Sequence, residues 1–225
     1  MSPLWVSLEG VEGVGKTYLA GRVAQRLGTR CTLLAELTDQ GTEDLPGQVI
    51  TALSATGDVF LRTGHPLTET FALLALKVRE YETMRSTLPS GVDLVLEDRG
   101  VDTVAIYQAA ILAAERPVEA MHALAHRIQA VAARWRPAPD LTILMVDDLD
   151  VCARRFADRI GRPLREDERS LMHWAQQLYT RHAACEPDRF VVIDRSGRHE
   201  EGTLAQLSEA CLGRLCRHGN GRSDA

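Results

Sequence analysis

One stretch near the amino end constrains this chain more than any other. Residues 4–9 (Leu-Trp-Val-Ser-Leu-Glu) are an apolar run of strand length, and Gly10-Val11-Glu12-Gly13-Val14-Gly15-Lys16-Thr17 follows at once, leading into a helical pattern from Tyr18. This is the spacing of a phosphate-binding loop, G-x-x-x-x-G-K-[ST], with the strand before it and the helix after it that the motif requires. Gly10 and Gly15 allow backbone angles that a Cβ would forbid and let the chain approach a ligand closely. Successive backbone N–H groups then face phosphate oxygens, reinforced by the positive end of the following helix. The candidate cofactor contacts are Gly10, Gly13, Val14, Gly15, Lys16, Thr17 and Tyr18. Lys16 is expected to reach the β- and γ-phosphates of ATP as a flexible point charge, and Thr17 to offer its hydroxyl to Mg²⁺.

The remaining composition sets bounds. The chain has 225 residues, 45% hydrophobic and 25% charged, with a formal net charge of −5. That is ordinary for a globular protein, and the acidic balance argues against a protein that coats nucleic acid. The five cysteines are scattered with no C-x-x-C pair, so neither a disulfide frame nor a zinc site is expected from them. The seven histidines are read as dispersed and without ligand spacing. No apolar run reaches the roughly 20 residues needed to span a bilayer, and no basic, cleavable leader opens the chain. A cytoplasmic protein with reduced thiols and no membrane or nucleic-acid partner is expected.

Along the chain, helical spacing predicts helices over 18–27, 49–55, 68–88, 101–114, 118–135, 151–160, 166–184 and 204–215. Short apolar runs predict strands over 4–9, 31–34, 93–98, 141–146 and 190–193. Residues 38–47, broken by Gly41, Pro46 and Gly47, read as a loop, and 218–225 as a frayed tail. In the helix over 68–88, Phe71, Leu74, Val78 and Tyr81 form one stripe, with Leu73, Leu76 and Met84 beside it as core. Trp135 and Trp174 read as packing residues. Strands alternating with helices predict an α/β fold, a five-stranded mostly parallel sheet covered on both faces. With no repeat or linker, one domain over 1–217 is expected. The strand over 93–98 ends in Glu97-Asp98-Arg99, and charged residues at a strand's carboxyl end mark where such sheets bind ligands.

With these motifs placed, the sequence resembles the thymidylate kinase family of nucleoside monophosphate kinases from about residue 4 to residue 207. The phosphate loop with its internal Glu12, the Asp98-Arg99 pair with Tyr107-Gln108 downstream, Pro139-Asp140-Leu141 with Asp147, and the run from Pro187 to Asp194 carry the resemblance in order. It implies a P-loop fold with a lid at about 155–168, transfer of the ATP γ-phosphoryl group to a nucleotide, and a homodimer. It also implies that Glu12 binds the acceptor sugar, Arg99 holds the acceptor phosphate and Tyr107 packs on the sugar. Arg155, Arg159, Arg162 and Arg165 fall in the lid segment, and Arg159 and Arg162 are the candidate catalytic fingers beside Lys16, Arg99 and Asp98. Thr17 and Asp98 are the candidate metal ligands.

The sequence departs from the family on the acceptor side. The Arg-Glu-Pro-Gly-Gly stretch after the second strand is replaced by Ala35-Glu36-Leu37-Thr38-Asp39, without its arginine. The aromatic and arginine that read thymine in the family fall on Leu73 and Lys77, which can neither stack as a ring nor make a planar two-pronged contact. Position 100, often Tyr or Ser, is Gly100. The expected substrate contacts are therefore Glu12, Leu73, Lys77, Arg99, Tyr107 and Gln108, with an acceptor other than dTMP. Lys77 and Arg79 read equally well as solvated charges. Two alternatives stand beside the nucleotide kinase: a kinase of a nucleoside or other small hydroxyl compound with Asp98, or more weakly Glu97, as base, and a regulatory ATPase without a small-molecule acceptor.

Overall fold

The structure, a computed structural model, describes residues 3–39 and 43–220, with side chains through Arg217. Strands β1 (Leu4–Glu9), β2 (Cys31–Leu34), β3 (Leu94–Asp98), β4 (Leu141–Val146) and β5 (Phe190–Asp194) form one parallel sheet in the order β2-β3-β1-β4-β5. β1 and β3 lie side by side with Leu8 opposite Asp98, so the phosphate loop and the charged end of β3 emerge together. Both strands are buried along their whole length, as continuous apolar strands in a covered parallel sheet must be.

Eight helices complete the described fold: α1 (Lys16–Leu27), α2 (Leu45–Leu53), α3 (Pro66–Thr87), α4 (Val101–Leu112), α5 (Val118–Ala132), α6 (Leu149–Ile160), α7 (Glu166–Cys185) and α8 (Glu200–Asn220). α1 packs on α8, while α3, α5 and α7 gather around α4. All the expected strands and helices are present, with shifts at three places. α2 begins at Leu45, earlier than expected. The Asp44 carboxylate accepts the Gly47 N–H at 3.0 Å, and Pro46 sits in the first turn, where its missing N–H is no loss. α8 starts at Glu200 and runs on to Asn220. Residues 40–42 of the expected loop and 221–225 of the expected tail lie outside the described residues.

The third shift concerns α3. It buries Leu73, Leu74 and Leu76 as expected, but Phe71 is 63% exposed and the buried face also carries Glu69, Lys77 and Glu80. This face meets a buried charge as well as the apolar core. Glu97 of β3 is fully buried and accepts from Trp5 Nε1 at 3.0 Å and from Arg136, while Lys77 Nζ sits 3.3 Å from Glu97 and 2.8 Å from Glu80. Arg136 lies over the Trp5 ring at 5.4 Å. The same demand explains Trp135, expected as packing but 63% exposed, while its neighbour Arg136 turns inward. Burial alone would raise the Glu97 pKa, and Arg136 and Lys77 more than offset it, holding the carboxyl below its ordinary value.

Removing one partner of a buried ion pair typically costs about 3–5 kcal/mol. Arg136→Met is expected to lose stability on that scale in urea unfolding at pH 7. The deficit should shrink as pH falls through the carboxylate range, because the pair contributes only while Glu97 is ionised. A variant as stable as the parent at pH 7 would show that Glu97 needs no guanidinium.

Candidate active site

The loop between β1 and α1 has the geometry that its glycines permit. Gly10, Gly13 and Gly15 all have positive φ (138°, 75° and 92°), and Gly15 is the residue that opens α1. At Gly13 the reason is also steric, since a Cβ there would overlap the Cys152 carbonyl. Lys16 Nζ donates to the Gly10 and Val11 carbonyl oxygens, both at 2.8 Å, and is nearly fully buried. Burial, and then the Arg99 charge, pushes its pKa down to about 8. A buried lysine so placed gains from an anion in the loop.

The end of β3 delivers three consecutive charges to different places. Asp98 is 1% exposed and neither carboxylate oxygen has a hydrogen-bond partner. Burial raises its pKa, against the pull of Lys16 and of the nearby Thr17 hydroxyl, which falls short of hydrogen-bond geometry. A buried carboxylate with unused oxygens beside a hydroxyl is an oxygen donor set of the kind Mg²⁺ takes. Arg99 follows in a left-handed conformation, φ 65°, which turns its side chain away from the line of the strand. Its guanidinium pairs with Glu12 at 3.0 Å and Glu36 at 2.8 Å. Burial would raise the Glu36 pKa, but Arg99 holds it down. Gly100 is needed for close approach: a Cβ would overlap the Ser7 hydroxyl, and the Gly100 N–H donates to Glu9 Oε1 at 2.7 Å.

Beside Arg99 opens a cleft of about 100 Å³. Glu12, Leu73, Lys77, Arg99, Tyr107 and Gln108, all expected as substrate contacts, line it together with Glu36 and Phe60. Tyr107 donates its hydroxyl to Glu12 and stacks on Phe60 at 5.8 Å. Gln108 accepts from the Thr70 hydroxyl at 3.0 Å. Lys77 reaches the wall of the cleft with its charge already bound to Glu80 and Glu97, so it presents a stem more than a free ammonium. Glu97 is likewise engaged and is not poised as a base.

The other expected residues sit further out. Tyr18 is exposed and donates to Glu200 of α8 at 2.7 Å rather than turning to the loop. Arg162 grips Glu168 through two nitrogens, at 2.6 and 2.8 Å, and Arg155 pairs with Asp147 at 2.8 Å. Arg165 bridges to Asp58 at 2.8 Å, linking the turn before α7 to the segment that carries Phe60. Arg159 lies over the Phe156 ring at 5.0 Å, near enough to Glu36 to help lower its pKa.

Sequence reasoning missed four residues at the site. Phe60 is the one aromatic residue in the stretch 54–65, which is its only signal. Glu36 was visible as a departure but not as a partner of Arg99. Arg195, immediately after β5, donates to the Val14 carbonyl of the loop. Glu9 is buried beneath the Arg99–Gly100 turn, with its pKa raised by burial, and also binds Thr103 and Tyr179.

Comparison with known proteins agrees with this architecture. The family model for thymidylate kinase matches residues 8–203. A probable thymidylate kinase of Halorubrum lacusprofundi is 31% identical over 210 residues, covering 91% of this chain and 95% of that protein. The thymidylate kinase of Clavibacter sepedonicus is 31% identical over 201 residues, covering 86% and 88%. Among solved structures, thymidylate kinase from Candida albicans superposes with a TM-score of 0.68 at 16% identity, over 94% of this chain and 92% of that one. The Ehrlichia chaffeensis thymidylate kinase gives 0.65 at 15%, over 93% and 99%. The strand order, the phosphate loop and these matches together show a P-loop fold, and the chain belongs to the thymidylate kinase family of ATP-dependent nucleoside monophosphate phosphotransferases.

Proposed function

We propose that this chain transfers the ATP γ-phosphoryl group to a nucleoside monophosphate other than dTMP, with Mg²⁺ held through Thr17 and Asp98. The observation that carries the reading is the junction at β3: the loop lysine, the unpartnered Asp98 carboxylate and Arg99 converge where the acceptor cleft meets the phosphate loop. Phosphoryl transfer asks mainly for alignment and charge compensation. The loop amides and Lys16 would hold the triphosphate, and the metal would bridge its terminal phosphates. Arg99 would hold the acceptor phosphate, and Arg159 is the lid arginine whose charge acts on Glu36 in the cleft wall. Closure of the lid would exclude water and limit idle ATP hydrolysis. A single domain, a homodimer and a cytoplasmic location remain part of this proposal.

The acceptor reading rests on charge and shape. Leu73 offers no ring for a base, and the Lys77 ammonium is spent on Glu80 and Glu97. Glu36 competes with any incoming phosphate for Arg99. That competition favours a second reading, in which the acceptor is an unphosphorylated hydroxyl compound and Asp98 its base. Asp98→Asn separates the two. Under the metal role the lost activity returns at high Mg²⁺. Under the base role it does not, and the acidic limb of the pH–rate profile disappears.

Lys16→Ala is expected to lower turnover by about 10²–10³ with the fold kept, as loss of one preorganised donor does. In the parent, Lys16 is partly deprotonated above about pH 8, and bound ATP restores its proton. ATP binding at pH 8.5 should therefore take up protons, seen as a dependence of calorimetric enthalpy on buffer ionisation. Undiminished turnover of the variant, or parent binding without proton uptake, would contradict this role.

Glu36→Gln should lower KM for a nucleoside monophosphate by roughly tenfold, the effect of removing one like charge near the phosphate, and leave KM for an unphosphorylated nucleoside little changed. In a panel of mono- and unphosphorylated nucleosides scored by ADP release, dTMP should be a poor acceptor. A panel in which dTMP is best would overturn the specificity, though not the kinase.

A further inference from the structure

Three histidines that the sequence reading set aside come together away from the nucleotide cleft. His122 and His126 are one helical turn apart on α5, and His182 faces them from α7. One nitrogen from each ring lies within 4.8 Å of the others, and the ring centroids are 4.4, 4.6 and 5.6 Å apart. The i,i+4 spacing of His122 and His126 was the available sequence signal, and the third member comes from a helix far along the chain. Imidazoles packed this closely cannot all be charged. Burial lowers the His122 pKa and pushes His182 down to about 4, so lone pairs are available.

The second observation is that these rings carry unused nitrogens in the interior. His122 is 8% exposed and His182 fully buried, yet His122 Nε2 and His182 Nδ1 have no hydrogen-bond partner. An orphaned ring nitrogen indoors is costly unless something accepts it. The other nitrogen of His182, Nε2, lies 3.0 Å from the Glu186 carboxylate, with the N–H donors of Gln129 and Arg189 at 2.9 and 3.3 Å. In the tautomer that donates from Nε2 to Glu186, the Nδ1 lone pair is free, and the Gln129 amide keeps its own N–H bond to Asp102. A carboxylate behind a histidine is the outer partner that metal-binding imidazoles usually have.

We propose that His122, His126 and His182 bind one divalent transition-metal ion, zinc by preference, between α5 and α7. Three imidazoles suit zinc, with a fourth position left for water. Tetrahedral zinc at about 2.0–2.1 Å from each nitrogen sets its donors roughly 3.3 Å apart, so nitrogens that lie within 4.8 Å of one another must close in by up to about 1.5 Å. A cleft of about 230 Å³, lined in part by His126, Gln129, Glu186 and Arg189, gives access. The neighbouring cations do not oppose the ion unmatched. Arg189 pairs with Asp102 at 2.6 Å and Glu186 at 2.7 Å, and Arg181 with Glu119 at 2.8 Å. Through Arg189 the cluster is tied to Asp102 in the first turn of α4, the helix that starts just after Arg99 and Gly100. The ion would clamp α5 to α7 behind that helix.

The test uses the full chain, stripped with a chelator and titrated with zinc in excess Mg²⁺, which occupies the oxygen ligands. Equimolar uptake, a zinc-dependent rise in Tm and, with Co²⁺ in place of zinc, the intense visible bands of a four-coordinate nitrogen site are expected. His126→Ala, at a half-buried position, should weaken zinc binding by at least roughly 100-fold and abolish the Tm rise, while keeping kinase turnover and far-UV dichroism. Glu186→Gln should cost about tenfold, as loss of an outer partner does. The proposal is overturned if the parent takes up less than one equivalent, if cobalt gives only the weak bands of six oxygen ligands, or if His126→Ala and His182→Gln bind zinc as the parent does.

Discussion

Three consecutive charged side chains at the carboxyl end of β3 are the constraint on which this structure depends. Glu97, Asp98 and Arg99 are each buried, and the strand sends each in a different direction. A buried charge must be matched or neutralised, so each one dictates an element around it. Glu97 draws Arg136 inward from the end of α5 and Lys77 across from α3. Arg99, turned by its left-handed backbone, draws Glu12 out of the phosphate loop and Glu36 from the segment after β2. Only Asp98 lacks a hydrogen-bond partner, and it is the one that sits beside Lys16 and Thr17. The fold satisfies its structural charges internally and leaves unmatched the one aimed at the donor site.

This also explains which features the sequence revealed. All five strands and the alternating helices were legible because a covered parallel sheet needs continuous apolar strands, a local pattern. The phosphate loop was legible because its recognition is mostly backbone, and backbone requirements appear as glycines at fixed spacing. The acceptor cleft was only partly legible. Its expected residues do line one cavity, yet the charge state of that cavity depends on pairs far apart in sequence, Lys77 with Glu97 and Arg99 with Glu36. Phe71 and Trp135 were misjudged for the same reason: hydrophobic periodicity cannot see that a neighbouring charge has the stronger claim on the interior. Phe60 lies in a stretch without periodic pattern, and the histidine cluster joins residues of two helices that are more than fifty positions apart in sequence.

The two halves of the site differ in how much freedom they leave. On the donor side, side chains at Gly10 and Gly13 would meet the Met145 and Cys152 carbonyls, and Lys16 is tied to two loop carbonyls. On the proposed acceptor side, the cleft is lined by side chains from α3, α4, the segment after β2 and the turn around Phe60. These can be exchanged singly, provided that charge stays balanced. Lys77 illustrates the limit. An ammonium at that position is tolerated because Glu80 and Glu97 absorb it, and Glu97 in turn requires Arg136. The position that the family resemblance aligns with a base-reading arginine is thus coupled here to a buried network reaching the amino end of β1 through Trp5. Altering acceptor choice by restoring an arginine at Lys77 alone would disturb that network before it reached the ligand. The opening toward Glu36, whose carboxylate pairs with Arg99 at the edge of the cleft, is the less constrained route.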